Sequence, residues 1–162
     1  MGTSEAPILV AFDGSAGARQ AVRQAAELLG PRRTLVLTVW EPALAYAAAA
    51  GAPDVSMSPA VDPEAVLGLD SELERNAKIV ADEGAELARS HGLEAEPVAV
   101  SDAGGVPRTI VDVANEHKVA ALVVGSRGLS GIRARFEGST SKGVVKHAPC
   151  PVLVVHEPAD RD

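Results

Sequence analysis

The chain has 162 residues, 46% hydrophobic and 23% charged, and its 22 acidic side chains outnumber its 15 basic ones to give a formal net charge of -7. This size suits one domain with a full apolar core. The acidic balance and the scarcity of aromatic residues argue against a nucleic-acid binder that relies on a basic surface or on base stacking. The single cysteine, Cys150, excludes an intramolecular disulfide and a Cys-rich zinc site.

The first part of the chain alternates short apolar runs with a helical pattern. Residues 8–12 are continuously apolar, as in a strand covered on both faces. Asp13-Gly14-Ser15 ends this run, and a helix is predicted from there to Gly30-Pro31. A second strand is predicted over Thr34–Trp40. Residues 41–61 are rich in Ala, Pro, Gly and Ser without a clear period, which predicts a long, mobile loop.

The rest of the chain continues the alternation. Asp62 and Pro63 suit the start of a long helix that runs to Gly92. Its periodic apolar pattern begins at Leu69 and Leu73. The further predicted elements are strands over 93–100, 120–124 and 151–156 and helices over 106–118 and 139–147. Five strands joined by helices predict a single α/β domain over 1–162, with its core over about 6–157 and a parallel sheet.

The location of the protein is predicted from what the chain lacks. No stretch supplies the ~20 strongly apolar residues of a membrane span. The first residues show no basic region followed by an apolar segment, as a secretory leader would. With one thiol as well, we expect a cytoplasmic protein with neither a membrane nor a nucleic acid as partner.

The strongest local signal for a ligand site follows the fourth predicted strand. Gly125, Gly128 and Gly138 allow backbone N–H groups to approach a ligand closely. The helix starting at Ser139 offers unpaired N–H groups and the positive end of its dipole, and Thr140 adds a hydroxyl. Together these groups suit a phosphate chain. The alternative is that the glycines make ordinary turns and Ser139 is an ordinary N-cap; neither a P-loop nor a dinucleotide fingerprint is present.

Asp13 directly follows the first predicted strand, at the edge where doubly wound sheets bind their ligands. If the first and fourth strands are neighbours, its carboxylate faces the loop at Gly125. There it could bind a ribose hydroxyl or a metal ion on the phosphates. The alternative, equally open, is an Asx turn that leads into the helix at Ser15.

The spacing Gly125-x2-Gly128-x9-Gly138-Ser139 resembles the nucleotide-binding signature of universal stress proteins. The likeness extends from residues 8–15 through Gly105-Val106-Pro107 to residues 148–155. It implies a doubly wound, Rossmann-like sheet of five parallel strands in the order 3-2-1-4-5, as in adenine nucleotide alpha hydrolase-like proteins. It also implies a homodimer formed through the last strand, Val152 to Val155.

The resemblance further implies ATP, with Mg²⁺, as the ligand of the family branch that carries this motif. Adenine is then expected near Val10, Ala11 and Val39, with Asp13 at the ribose or the metal. The phosphate-binding residues that it implies are Gly125, Arg127, Gly128, Gly138, Ser139 and Thr140. One departure is Thr140, because many members have Val after the Gly-Ser pair.

Three functions remain as hypotheses. The first is an ATP-binding stress-response protein that acts as a nucleotide-regulated dimer, with at most slow hydrolysis because no base stands out beyond Asp13. The second is a nucleotide-independent dimeric interaction module. The third is an ATP pyrophosphatase-type enzyme, for which residues 13–17 lack the usual Ser-Gly-Gly-x-Asp-Ser loop. Residues 125–147 carry five basic side chains against one acidic, a local charge of +4 within a chain whose remainder is -11, which suits the first.

Overall fold

The computed structural model describes residues 6–43, 63–102, 104–126 and 139–157. The strands in these ranges are β1 (Ile8–Ala11), β2 (Arg33–Trp40), β3 (Glu94–Ser101), β4 (Ala121–Gly125) and β5 (Val152–Val155). All neighbouring strands pair in parallel, in the spatial order β3-β2-β1-β4-β5. Chain order reverses between β1 and β4, which makes that junction the topological switch point. The fold class and strand order expected from the sequence are confirmed.

The helices of the described ranges are α1 (Ala16–Leu29), α2 (Pro63–Ser90), α3 (Val106–Glu116) and α4 (Ser139–His147). Element boundaries agree with the sequence prediction to within two residues. The loop predicted over 41–61 lies, apart from residues 41–43, outside the described residues. None of the described helices has the length and apolarity needed to cross a bilayer.

Helices cover both faces of the sheet. Side chains alternate along each strand, so Ile8 and Val10 pack under α1 and α2, whereas Leu9 and Leu37 pack under α3 and α4. We call these the α1/α2 face and the α3/α4 face. All four side chains are at most 1% exposed, and burial of each is worth about 1.5–3 kcal/mol. The apolar composition therefore forms a core on each side of the sheet.

The apolar pattern of α2 begins at Leu69 in the sequence, but its side chains are buried only from Ala77 onward. Leu69 is 48% exposed, whereas Ala77 is 5% exposed. A helix of 28 residues is about 42 Å long, and the longest strands, of 8 residues, reach only about 27 Å. The first turns of α2 consequently extend past the sheet, where the amide of Ala43 donates to the Asp70 carboxylate at 2.7 Å.

Two helical glycines mark the closest packing of helices in the described ranges. A Cβ on Gly84 of α2 would lie 2.6 Å from Cδ1 of Phe12 and 2.7 Å from Cγ1 of Val36. A Cβ on Gly143 of α4 would lie 2.6 Å from Cβ of Pro107 in α3. Only glycine lets α2 lie this close to the sheet and α4 this close to α3.

β3 forms one edge of the sheet, and its hydrogen bonds show which of its groups face outward. The Glu94 N–H donates to the carbonyl of Arg32 at 3.1 Å. Because backbone direction alternates along a parallel strand, the even-numbered residues of β3 face β2, and Ala95 and Pro97 face outward. The outward carbonyl of Ala95 accepts a hydrogen bond from Nε of Arg89 at 3.0 Å.

β5 forms the opposite edge. The Leu122 N–H donates to the carbonyl of Pro151 at 2.9 Å, and the Ser126 N–H donates to the carbonyl of Val155 at 2.8 Å. The same alternation directs the backbone groups of Val152 and Val154 away from β4.

Candidate functional site

The turn from β1 into α1 is fixed by side chains at the carboxyl end of the strand. The Ser15 N–H donates to Oδ1 of Asp13 at 2.9 Å, which forms an Asx turn. Gly14 adopts a φ of 80°, a conformation that favours glycine. The Ser15 hydroxyl accepts from the Ala18 N–H at 3.1 Å and caps α1. The Asx turn proposed as the alternative role for Asp13 is therefore present.

The first turn of α1 lies against the end of β4. A Cβ on Gly125 would lie 3.1 Å from both the carbonyl carbon and oxygen of Gly17, and 3.4 Å from the Ala18 nitrogen. Gly125 is thus needed for close backbone packing, whatever it contributes to a ligand. β1 and β4 pair with Val10 opposite Val123, so Asp13 and Gly125 both follow the strands that flank the switch point.

Apolar side chains are incompletely covered at the carboxyl ends of the strands on the α3/α4 face. Ala11 and Val39 pack against this face of the core but are only half-buried. Val100, which pairs with Val39, and Val106 at the start of α3 are half-buried in the same way. Val10 differs, because its side chain is 0% exposed on the α1/α2 face. Of the three residues expected near adenine, Ala11 and Val39 share the partly open face.

The start of α4 lies at the same end of the sheet. Since β4 and β5 are parallel, the connecting helix runs back along the sheet and begins beside the carboxyl ends of the strands. Its first turn contains no acidic residue, and its last turn contains Lys146 and His147. The positive, N-terminal end of the helix dipole therefore has no acidic side chain in its first turn to offset it. The two basic residues lie at the negative, C-terminal end and offset the partial charge there. Thr140 is half-buried and Ser141 is 3% exposed.

Three of the predicted phosphate-binding residues, Arg127, Gly128 and Gly138, lie outside the described residues. Ser139 is described only as the first residue of α4. The described part of the chain thus brings Ala11, Asp13, Val39, Gly125 and Thr140 to the carboxyl end of the sheet.

No group of three or more His, Cys, Asp or Glu side chains among the described residues could hold a metal ion. Asp13 alone would supply one carboxylate. This fits Mg²⁺, which is commonly bound by one or two carboxylates together with the phosphates of a nucleotide.

Sequence reasoning missed two residues that shape the strand ends. Asp102 follows β3, and its Oδ1 accepts from the N–H groups of Gly104 and Gly105 at 3.0 and 2.7 Å and from the Thr109 hydroxyl at 2.9 Å. An Asp shortly before Gly-Gly at a strand end was the available signal. The other residue, Thr38, donates its hydroxyl to the Phe12 carbonyl at 2.8 Å. Nothing in the sequence distinguishes it from an ordinary strand threonine.

Cys150 precedes β5 and is half-buried against the α3/α4 face. Desolvation by burial raises the pKa of its thiol, and a backbone hydrogen bond with Leu122 opposes the rise only in part. The thiol is therefore protonated at neutral pH, as expected of a cysteine that packs in the core and is not a nucleophile.

The fold and this strand-end crevice define a doubly wound α/β protein of the kind that binds ligands at a topological switch point. The family model described as "Universal stress protein family" matches residues 6–156. The chain belongs to this family. A universal stress protein of Thermus aquaticus is 33% identical over 150 residues, which cover 91% of this chain and 96% of that protein.

Solved structures share the fold. Universal stress protein UspA from Lactobacillus plantarum superposes with a TM-score of 0.70 at 24% identity, over 94% of this chain and 99% of its own. Three further relatives were solved with nucleotides. They are a universal stress protein with cAMP (TM-score 0.58, 23% identity), one from Archaeoglobus fulgidus with dAMP (0.54, 23%) and one from Arabidopsis thaliana with AMP (0.60, 20%). Each alignment covers more than nine-tenths of both chains.

Proposed function

We propose that this protein binds an adenine nucleotide, ATP with Mg²⁺, in the crevice between the ends of β1 and β4 and the start of α4. The observation that carries the proposal is the partly open apolar surface at Ala11 and Val39 beside a helix N-terminus without acidic residues. Apolar walls suit a purine base, and a helix N-terminus suits phosphates. The relatives solved with cAMP, dAMP and AMP support a ligand of this class.

Each part of the nucleotide has a proposed partner. Ala11 and Val39 contact adenine, and Val10 lies next to Ala11 in β1. Asp13 binds the ribose or the metal. The phosphates are bound by Gly125, Arg127, Gly128, Gly138, Ser139 and Thr140. Bound Mg²⁺ supplies charge neutralisation on the phosphates. Hydrolysis is at most slow, because Asp13 is the one carboxylate proposed to face the nucleotide and its Oδ1 already accepts from Ser15.

Isothermal titration calorimetry with ATP and Mg²⁺ tests the proposal directly. Binding in the micromolar range is expected, and no detectable heat at millimolar nucleotide would overturn it. Titrations with AMP and cAMP under the same conditions rank the ligands. If cAMP bound more tightly than ATP, the class of ligand would stand and ATP would be wrong.

Gly138→Val places a β-branched side chain where the proposal needs close backbone approach to phosphates. We expect the affinity for Mg·ATP to fall at least about 100-fold, roughly 2.7 kcal/mol, with the circular dichroism spectrum unchanged. Gly68→Val is the matched control, because open space surrounds the position of its Cβ on α2. Unchanged affinity in Gly138→Val would refute the placement of the phosphates.

We also propose that the protein is a homodimer formed through β5. Val152 and Val154 direct their backbone groups outward from an edge strand that contains no charged residue. An exposed strand of this kind favours pairing with another. Beside it, a cavity of about 350 Å³ is lined by Ser141, Lys142, Val145, Lys146 and Val154, and Val145 is 55% exposed.

The same edge favours a second candidate, a dimeric interaction module that needs no nucleotide. Size-exclusion chromatography with light scattering, with and without Mg·ATP, separates the two. A dimer whose stability rises with nucleotide supports the regulated dimer. A dimer whose stability does not change with nucleotide, together with no heat of binding in calorimetry, supports the nucleotide-independent interaction module.

A further inference from the structure

Phe12, the residue that follows β1, is held to β2 by two hydrogen bonds of different kinds. The Phe12 N–H still donates to the carbonyl of Leu37 at 2.8 Å, as a parallel ladder requires. The Phe12 carbonyl then accepts from the hydroxyl of Thr38 at 2.8 Å, in a buried contact. A side chain of β2 thus takes the place of a ladder donor at the point where β1 ends.

The Phe12 side chain is fixed as firmly as its backbone. It is 2% exposed and lies over Gly84, where an added Cβ would approach its ring to 2.6 Å. The guanidinium of Arg19 lies 5.8 Å from the ring centroid. The ring is thus held on the α1/α2 face, while the hydroxyl of Thr38 bonds the carbonyl of the peptide that connects Phe12 to Asp13.

That peptide determines where the Asp13 carboxylate points. Asp13 is the next residue, and its Oδ1 accepts the Ser15 N–H that opens α1. A rotated Phe12–Asp13 peptide would move the carboxylate without unfolding either β1 or α1, since both have their own hydrogen bonds. Small displacements of this kind at a site have large effects on binding.

We infer that Thr38 is a positioning residue for the nucleotide site, acting through the Phe12 carbonyl on the carboxylate of Asp13. The identity of the ligand in this inference rests on the proposed function. The way in which Thr38 acts rests on the hydrogen bonds described above. Thr38 itself is 6% exposed, and alternation along β2 places its side chain on the same α1/α2 face as that of Val36, opposite Ala11 and Val39.

Thr38→Val tests the inference because it removes the hydroxyl and keeps the shape of the side chain. We expect the Kd for Mg·ATP, by calorimetry, to rise about tenfold, the scale of one lost hydrogen bond to a positioned group. Thr38→Ser keeps the hydroxyl and should restore the Kd to within about threefold. Thr34→Val is the matched control, since Thr34 is also buried in β2 but bonds the Arg32 carbonyl at the far end of the strand. The Kd of this variant should match that of the wild type.

A double-mutant cycle separates positioning from general loosening. In an Asp13→Ala background, Thr38→Val should change the Kd less than about twofold, because the carboxylate that it orients is gone. An undiminished effect in that background, or an equal effect from Thr34→Val, would overturn the inference.

Hydrogen exchange adds a readout that needs no ligand. The Ser15 N–H, bonded to Asp13, should exchange several-fold faster in Thr38→Val and at the wild-type rate in Thr34→Val. If the wild type binds no nucleotide, the proposed function fails and the role in binding fails with it. If the wild type binds and Thr38→Val binds equally well, the inference alone fails.

Discussion

The two edge strands of the sheet, β3 and β5, differ in whether their outward-facing backbone N–H and C=O groups are blocked. On β3, Pro97 has no N–H at an outward position, and Nε of Arg89 occupies the carbonyl of Ala95. Exposed Glu94 and Glu96 add negative charge along the strand. On β5, among the described residues, no proline, charge or capping side chain stands at Val152 to Val155.

This difference shows which edge is available for association. Proline and charge on an edge strand prevent pairing with another chain, and β3 carries both. β5 lacks both, while the half-buried Val152 and Val154 lie beside a cavity lined by Lys142 and Lys146. The contrast supports β5 as the dimer strand and leaves β3 as an edge closed by its own chain.

The largest effect is expected from Gly84→Ala, which disturbs the helix that covers the β3 side. The new Cβ would meet the ring of Phe12 at 2.6 Å and Cγ1 of Val36 at 2.7 Å, and both neighbours are buried. We expect the free energy of unfolding to fall by about 3 kcal/mol, measured by urea denaturation at fixed protein concentration. Gly68→Ala in the same helix has open space around its Cβ and should gain up to about 1 kcal/mol from helix propensity. Equal behaviour of the two variants would contradict the close packing of α2.

The second-largest effect is expected when a proline is placed at an outward position of β5, like the one that β3 already has. Val154→Pro removes an outward N–H, so the bonds between β4 and β5 are kept while pairing with a second copy is blocked. We expect the dimer Kd to rise at least about 30-fold, roughly 2 kcal/mol, by light scattering across a dilution series. Val154→Ala keeps the N–H and should remain dimeric. A dimer that survives Val154→Pro would place the interface elsewhere.

Much of the fold could be predicted because its signals are local. The continuous apolar run at Ile8–Ala11 and the Asp13-Gly14-Ser15 breaker define a strand and a helix start within eight residues. The strand order was not readable from such patterns; it came from the likeness to a family. The exposure of Leu69 could not be predicted, because periodicity shows which side of a helix is apolar and not where the sheet beneath it ends.

The candidate site likewise has one part that the sequence could predict and one part that it could not. Gly125 was identified from its motif, but its contact with the Gly17 backbone depends on how α1 crosses β4, and no sequence pattern encodes that crossing. Thr38 was missed since its hydrogen bond joins residues 26 positions apart. The capping of the Ala95 carbonyl by Arg89 is also a tertiary contact, although its two residues lie close in the chain.

Pro97→Ala is expected to have the smallest effect. It tests most directly why the β3 edge does not pair with another chain. Pro97 faces outward, so restoring its N–H adds no bond to β2, and the loss of proline's constraint on the unfolded chain should cost about 0.4–1 kcal/mol. The dimer mass should stay unchanged in light scattering, because Arg89 still occupies the Ala95 carbonyl and the charges of Glu94 and Glu96 remain. Adding Arg89→Ala removes the second obstacle, and the double variant should show weak, concentration-dependent association beyond the dimer. Higher oligomers in Pro97→Ala alone would mean that the proline by itself closes this edge, whereas a loss above about 2 kcal/mol in urea denaturation would mean that the β2–β3 ladder depends on it.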